Sequence, residues 1–475
     1  MKKKIILINT GRRNSLYLFV SPPMGVMYLS AYLRKEFQNN IEIKLINQRV
    51  ENYNEDQIIK IIYNYKPNII GLSSFTTFAY FIPKISRRIK ELFPQAWIVL
   101  GGPHASSLRG QVFSDCENLD IVVPGEGEIA FKQIVESYPN KENLKYISGI
   151  IWKNEMGEII NNQGNLPIVE DLDNLPIPAY DLIDIQKYWK LQSMTPLPSR
   201  KYICLVTSRG CPYRCMWCHS IFGKKIRMQS AEKLVEEIEW LINKYDVNEF
   251  EIVDDNFNFN KQRVIQFAEL VKKKNLKLKF TFPNALRGDL ISEEVAEALH
   301  SVGTYMSSFS LETGSPRLQK FTCKNLDITK FLQGVELMVK KGIYANGYCM
   351  LGFPTETEEE LKMTIDIATN SMLHTASFFT VIPFPGTPLF EWLKQNRPDK
   401  VKKINYNNVE YGSIKINLTD LPDEVFYKYQ RKAYIKFFSK PKRIYRIIKV
   451  YPRPLYLSMY VPMLLQRLVK GIIIK

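Results

Sequence analysis

The sequence predicts an α/β protein: an N-terminal doubly wound (flavodoxin-like) parallel sheet, then a partial (β/α)6 barrel, then a helical C-terminal tail. Three observations carry this. Short apolar runs alternate with helical periodicity over the first 140 residues, the alternation resumes six times between residues 203 and 382, and no acidic residue follows Phe426 while basic ones abound.

At 475 residues the chain is too long for one ordinary core. The expected division is a first domain over 1–140, a linker with a small hairpin over 141–200, the barrel over 201–400 and a basic helical region over 401–475. Hydrophobic residues at 45% and charged residues at 24% fit a folded globular chain and exclude disordered and fibrous classes. The apolar run after the first lysines breaks at Asn9-Thr10-Gly11, too short for a signal-peptide core. No stretch approaches the roughly 18 apolar residues of a spanning helix. The expected location is therefore the cytoplasm, with contact at a membrane surface as an alternative.

In the first domain the expected strands are 5–9, 41–46, 69–73, 97–100 and 121–123, with helices near 25–37, 56–65 and 80–92. Such sheets bind ligands beyond the carboxyl ends of their strands. Those ends carry Ser73-Ser74-Phe75-Thr76-Thr77, Gly101-Gly102-Pro103-His104 and Pro124-Gly125-Glu126-Gly127-Glu128. Glycines admit close backbone approach and hydroxyls bond polar tails, although one such run alone is ordinary turn chemistry. Three at successive strand ends predict a ligand crevice touching Ser73, Thr76, Gly101, Gly102, His104, Gly125 and Glu126.

The second alternation pairs strand with helix at 203–207 and 231–245, 250–253 and 261–273, 278–282 and 293–302, 306–311 and 328–341, and 345–351 and 357–369, closing on a strand at 376–382. Repeats of about 30 residues build a (β/α) barrel, whose active site lies at the carboxyl ends of its strands.

Just after the first barrel strand come Cys211, Cys215 and Cys218, three of seven cysteines within eight residues. An odd number of cysteines clustered this way points to metal ligation and away from a disulfide framework. Thiolates suit iron-sulfur clusters or zinc. Structural zinc prefers four ligands, and His219, directly beside Cys218, is poorly placed as a fourth. A cluster held by three thiolates leaves one iron open for chemistry.

The CxxxCxxC spacing, with Trp217 before the last cysteine, resembles the signature of the radical S-adenosylmethionine (SAM) superfamily. Residues 250–256 (FEIVDDN), 310–315 (SLETGS), 350–356 (MLGFPTE) and 383–388 (PFPGTP) fall where that superfamily places cofactor and substrate contacts. The GGPH and GEGE runs look like those of its cobalamin-binding subgroup, which includes methyltransferases and the anaerobic magnesium-protoporphyrin ester cyclase. The resemblance implies a [4Fe-4S] cluster on Cys211, Cys215 and Cys218, with SAM on the fourth iron. It also implies cobalamin in the first domain, an electron donor such as flavodoxin or ferredoxin, and a small-molecule or lipophilic substrate. Trp217 would sit against the adenine or act as an aromatic lid. Glu312 would hold a polar group of SAM or form a barrel salt bridge, and Gly352 and Glu356 would shape the adenosine pocket. One departure stands: the subgroup's cobalt-ligating DxHxxG motif is absent, which leaves His104 as a ligand or as a simple surface or phosphate contact.

The implied reaction is C-methylation at an unactivated carbon; the alternatives are a radical cyclisation or rearrangement, and a zinc-stabilised binding protein that uses its basic tail. Thirteen of the 17 net positive charges lie beyond Phe426, interleaved with apolar residues such as Phe437, Ile444, Tyr445, Ile448, Leu464 and Ile472. That pattern suits helices capping the barrel or a helix lying on an anionic membrane; nucleic-acid contact is the weaker third option.

Overall fold

A computed structural model describes residues 2–13, 19–195, 197, 200–406 and 416–453. It divides into two compact units. Unit 1 comprises residues 1–191, 219–227 and 384–410, and unit 2 comprises 192–218, 228–383 and 411–475.

Unit 1 is a seven-stranded sheet in the order β2-β1-β3-β4-β5-β6-β7, formed by β1 (Lys3–Asn9), β2 (Ile41–Asn47), β3 (Ile69–Ser73), β4 (Trp97–Gly101), β5 (Ile121–Val122), β6 (Ile151–Lys153) and β7 (Ile159–Asn161). β1 to β5 are parallel, and β1 runs Ile5-Ile6-Leu7-Ile8 fully buried, as a strand covered on both faces must. The chain reverses its direction of growth at β1 and β3, so the switch-point crevice opens where residues 9–11 and 73–74 end those strands. Helices α1 (Met24–Phe37), α2 (Glu55–Tyr65) and α3 (Phe81–Leu92) follow the expected spans within one or two residues.

Two expectations change here. The hairpin read as part of a linker continues the sheet, because β6 pairs antiparallel with β5. The GGPH run is also no loop: Gly102 opens the helix α4 (Gly102–Leu108), with Pro103 in its first turn, where a missing N–H costs nothing. Past Gly127 the chain enters α5 (Glu128–Ser137).

Unit 2 holds six parallel strands in sequential order: β8 (Ile203–Leu205), β9 (Glu249–Ile252), β10 (Lys279–Leu286), β11 (Thr304–Glu312), β12 (Tyr344–Leu351) and β13 (Thr375–Thr380). β8 and β13 do not pair, so the barrel is partial. Its outer helices are α6 (Ala231–Tyr245), α7 (Lys261–Lys273), α8 (Glu293–Ser301), α9 (Ile328–Lys340) and α10 (Glu358–Asn370). Alternation sorts β12 and β13: Ala345, Gly347, Cys349, Ala376 and Phe378 are buried, while Tyr348, Met350, Ser377 and Phe379 are half-buried. Tyr348 donates from its hydroxyl to the Pro283 carbonyl at 2.7 Å, two strands away, which fixes the inward curl.

A buried ionic clamp ties residues 193–200 to β9. Arg200 pairs with Glu249 and Glu251, both at 2.5 Å, and donates to Ser193 at 2.6 Å. α11 (Asp423–Phe438) buries Phe426, Tyr429, Ala433 and Phe437, and α12 (Pro441–Val450) follows. Of the apolar tail residues named above, Leu464 and Ile472 lie outside the described residues. Among the described residues no helix is long and apolar enough to cross a membrane.

Candidate active site

In unit 1 the three strand-end runs come together. The Thr10 hydroxyl donates to Ser74 Oγ at 2.7 Å, the His104 N–H reaches the Ser74 carbonyl at 2.9 Å, and Ser106 Oγ accepts from the Gly125 N–H at 2.8 Å. Gly102 is required as glycine: its φ is +82°, and a Cβ there would stand 2.7 Å from Ser73 Oγ. Thr76 is buried with its hydroxyl 3.3 Å from His104 Nδ1.

His104 is therefore no surface contact. It is 8% exposed, and burial pushes its pKa down to about 4, so the ring is neutral. Glu126 is also committed elsewhere, in a buried ion pair with Arg227, which further donates to the Val169 carbonyl at 2.6 Å. A carboxylate gripped by a guanidinium is a structural brace, and no local sequence signal links residues 101 positions apart. Thr10 was missed; its signal is its place immediately after the first strand of a doubly wound sheet.

In unit 2 the cysteine loop is docked at the carboxyl ends of the barrel strands. The Met216 N–H donates to the Thr322 carbonyl at 2.9 Å, and the Arg287 guanidinium lies 3.6 Å from the Tyr213 ring centroid. Arg287 also pairs with Asp289 at 2.9 Å and donates to the carbonyls of Lys324 and Asn325 at 3.2 and 3.0 Å. Cys211 and Cys215 are partly buried and Cys218 exposed, and none of the three is in a disulfide. Burial pushes the Cys215 thiol up, and the Lys324 ammonium works against that shift. Sequence reasoning missed both cations, because tertiary folding alone brings them to the loop.

Glu312 ends β11 at φ +61°, beside a register shift, and its carboxylate meets Lys324 at 3.5 Å. Burial raises its carboxyl and Lys324 opposes it. A glutamate held in the left-handed region is strained. Trp217 packs against Phe353, ring centroids 5.3 Å apart. Glu356 Oε2 accepts from the N–H groups of Gly352 and Phe353 at 2.5 and 3.0 Å, which closes the turn after β12. Gly352, at φ +95°, lets that turn form. In the 250–256 run, Asp254 accepts from the Thr207 N–H and hydroxyl, both at 2.6 Å, and so ties the ends of β8 and β9.

The donor set fits the implied groups. Three cysteines on one loop, none in a disulfide, with Lys324 and Arg287 beside them suit a polynuclear, anionic cluster. Two buried oxygens at strand ends, Glu356 Oε1 and Asn256 Oδ1, have no hydrogen-bond partner, an unmet demand that a polar ligand such as SAM would fill. In unit 1 the crevice offers hydroxyls and a glycine turn at the switch point, which suits the polar tail of cobalamin.

Comparison with known proteins agrees. The model of the radical SAM superfamily matches residues 205–368, and that of the B12 binding domain matches residues 16–135. An uncharacterised methyltransferase of Pyrococcus horikoshii is 32% identical over 447 residues, 92% of this chain and 93% of that one. The anaerobic magnesium-protoporphyrin IX monomethyl ester cyclase of Rubrivivax gelatinosus is 25% identical over 436 residues, 89% of this chain and 76% of its own. The cobalamin-dependent SAM radical enzyme OxsB, solved with aqua-cobalamin and SAM, shares the fold with a TM-score of 0.76 at 19% identity, covering 99% of this chain and 72% of that one.

Proposed function

This chain belongs to the radical SAM superfamily and carries a B12 binding domain ahead of its barrel, and from that premise we propose that it is a C-methyltransferase acting at an unactivated carbon of a small-molecule substrate. The observation that carries the reading is the three-cysteine loop, docked at the barrel's carboxyl end by Met216 and Tyr213 and flanked by Lys324 and Arg287. When bound, the cluster and SAM supply a 5′-deoxyadenosyl radical, and cobalamin supplies a methyl group.

The chain's own residues do the rest. Cys211, Cys215 and Cys218 hold the cluster, and the two cations balance the charge of its thiolates. Lys324 holds Glu312 where a polar group of SAM would bind. Trp217 against Phe353 offers an apolar wall for the adenine, and Glu356 fixes the turn at Gly352 beside it. In unit 1, Ser73, Thr76, Gly101, Gly102 and Gly125 line the cobalamin crevice. His104, neutral and engaged by Thr76, takes no charge there, and Glu126 braces the crevice through Arg227.

The test is anaerobic reconstitution with iron and sulfide, then incubation with SAM, reductant and cobalamin and product analysis with cell extract as substrate source. Methylation yields S-adenosylhomocysteine and 5′-deoxyadenosine in equal amounts. Formation of 5′-deoxyadenosine without S-adenosylhomocysteine would replace methyl transfer with cyclisation or rearrangement, the chemistry of the Rubrivivax relative's name.

A further inference from the structure

The second C-terminal helix packs Ile447 and Val450 against the hydrophobic cluster of Leu197, Met306, Tyr344 and Tyr451, and it keeps a further apolar group outside. On α12 the one fully buried side chain is a cation: Arg443 donates to the carbonyls of Leu373 at 3.0 Å, Phe437 at 2.6 Å, Thr369 at 2.7 Å and Ser371 at 3.1 Å. Three of these carbonyls end α10 and the turn after it, so the guanidinium caps a negative helix terminus. This anchor fixes which way α12 faces. The opposite side, which cannot turn inward without breaking it, carries Ile444, Tyr445 and Ile448 at 46%, 66% and 56% exposure. Ile435 of α11 adds 57% exposure nearby in sequence.

Scattered exposed apolar residues mean little, but three at helical spacing on one anchored face form a patch. Lys440, Lys442 and Lys449 stand exposed on the same helix and at its start. No acidic residue occurs from Phe426 onward, so α12 itself carries charge of one sign only. By contrast, α11 buries Phe426, Tyr429, Ala433 and Phe437 and, Ile435 apart, is an ordinary cap of the barrel. An apolar sector edged by lysines is the chemistry of a helix lying in the interface of an anionic bilayer.

We propose that α12 docks this protein on anionic lipid, with Ile444, Tyr445 and Ile448 entering the headgroup region and Lys442 and Lys449 meeting lipid phosphate. Such docking would bring the enzyme to substrates dissolved in or leaving a membrane. It needs no spanning helix and no partner protein.

The experiment is co-sedimentation of the full chain with vesicles of phosphatidylcholine alone and of equimolar phosphatidylcholine and phosphatidylglycerol. Binding is expected only to the anionic vesicles and should fall as salt rises. Lys442→Gln and Lys449→Gln, conservative surface changes that leave the fold alone, should each weaken it about fivefold. A triple Ile444→Ser, Tyr445→Ser, Ile448→Ser variant should lose it while keeping its 5′-deoxyadenosine formation. Equal binding to neutral vesicles, or full binding by the triple variant, overturns the proposal. So does a change of oligomeric state in that variant, which would mean that a second copy covers the face. Displacement from vesicles by polyuridylate, with tighter binding to it, would instead assign the lysines to nucleic acid.

Discussion

Glu126 and Glu356 show how the same residue type divides between bracing and site-building. Glu126 is buried against Arg227, and breaking a buried pair by removing one partner costs about 3–5 kcal/mol. Arg227→Met should therefore lower the urea midpoint strongly, and adding Glu126→Gln should recover much of the loss. If Glu126 were instead a cofactor contact, Glu126→Gln would weaken cobalamin binding more than stability. Glu356 is a different case, since burial pushes its pKa up to about 8. Its folded pKa exceeds the unfolded value, so its contribution to stability is complete below the ordinary carboxyl range and is lost as pH rises to about 8. The melting temperature of wild type relative to Glu356→Gln should fall across that window; a flat difference would show that the buried carboxyl is not titrating. Cys215→Ala makes the sharpest residue-level statement: reconstituted iron and 5′-deoxyadenosine should both vanish, and retention of either would remove Cys215 from the ligand set.

Elements were legible where local chemistry decides them. Runs such as Ile5 to Ile8 and the six barrel strands are apolar stretches bounded by turn residues, and both sheets emerge in the expected order. α4 was not legible, because Gly-Gly-Pro reads as a turn until the chain beyond it is seen to wind. The hairpin's place in the first sheet was hidden too, since pairing partners are tertiary facts. At the site, the cysteine loop and the motif-bearing strand ends could be read from spacing. Arg287, Lys324 and Arg227 could not, because what matters is which distant residue they reach. α12 offers the element-scale test. Arg443 is its most deeply buried side chain and makes several charge-assisted hydrogen bonds, so Arg443→Ala should cost about 2–4 kcal/mol. Hydrogen exchange should show the protection of α12 lost first, with β11 and β12 unchanged.

At the scale of the whole molecule, two compact units carry two cofactor chemistries, and ligand linkage can tell them apart. A ligand that binds only the folded form stabilises it by about 2.7 kcal/mol when present at roughly a hundred times its dissociation constant. Cobalamin should therefore raise the resistance of this protein to unfolding, and the gain should appear as slower hydrogen exchange at the ends of β1, β3 and β4. The barrel strands of unit 2 should exchange as before. Gly102→Ala provides the control, because a Cβ at φ +82° meets Ser73 Oγ at 2.7 Å and distorts the turn at the crevice. Measured against its own stability without cobalamin, that variant should gain little or nothing from the ligand. Protection spread evenly over both units, or a full gain in Gly102→Ala, would mean that cobalamin is held somewhere other than the switch-point crevice.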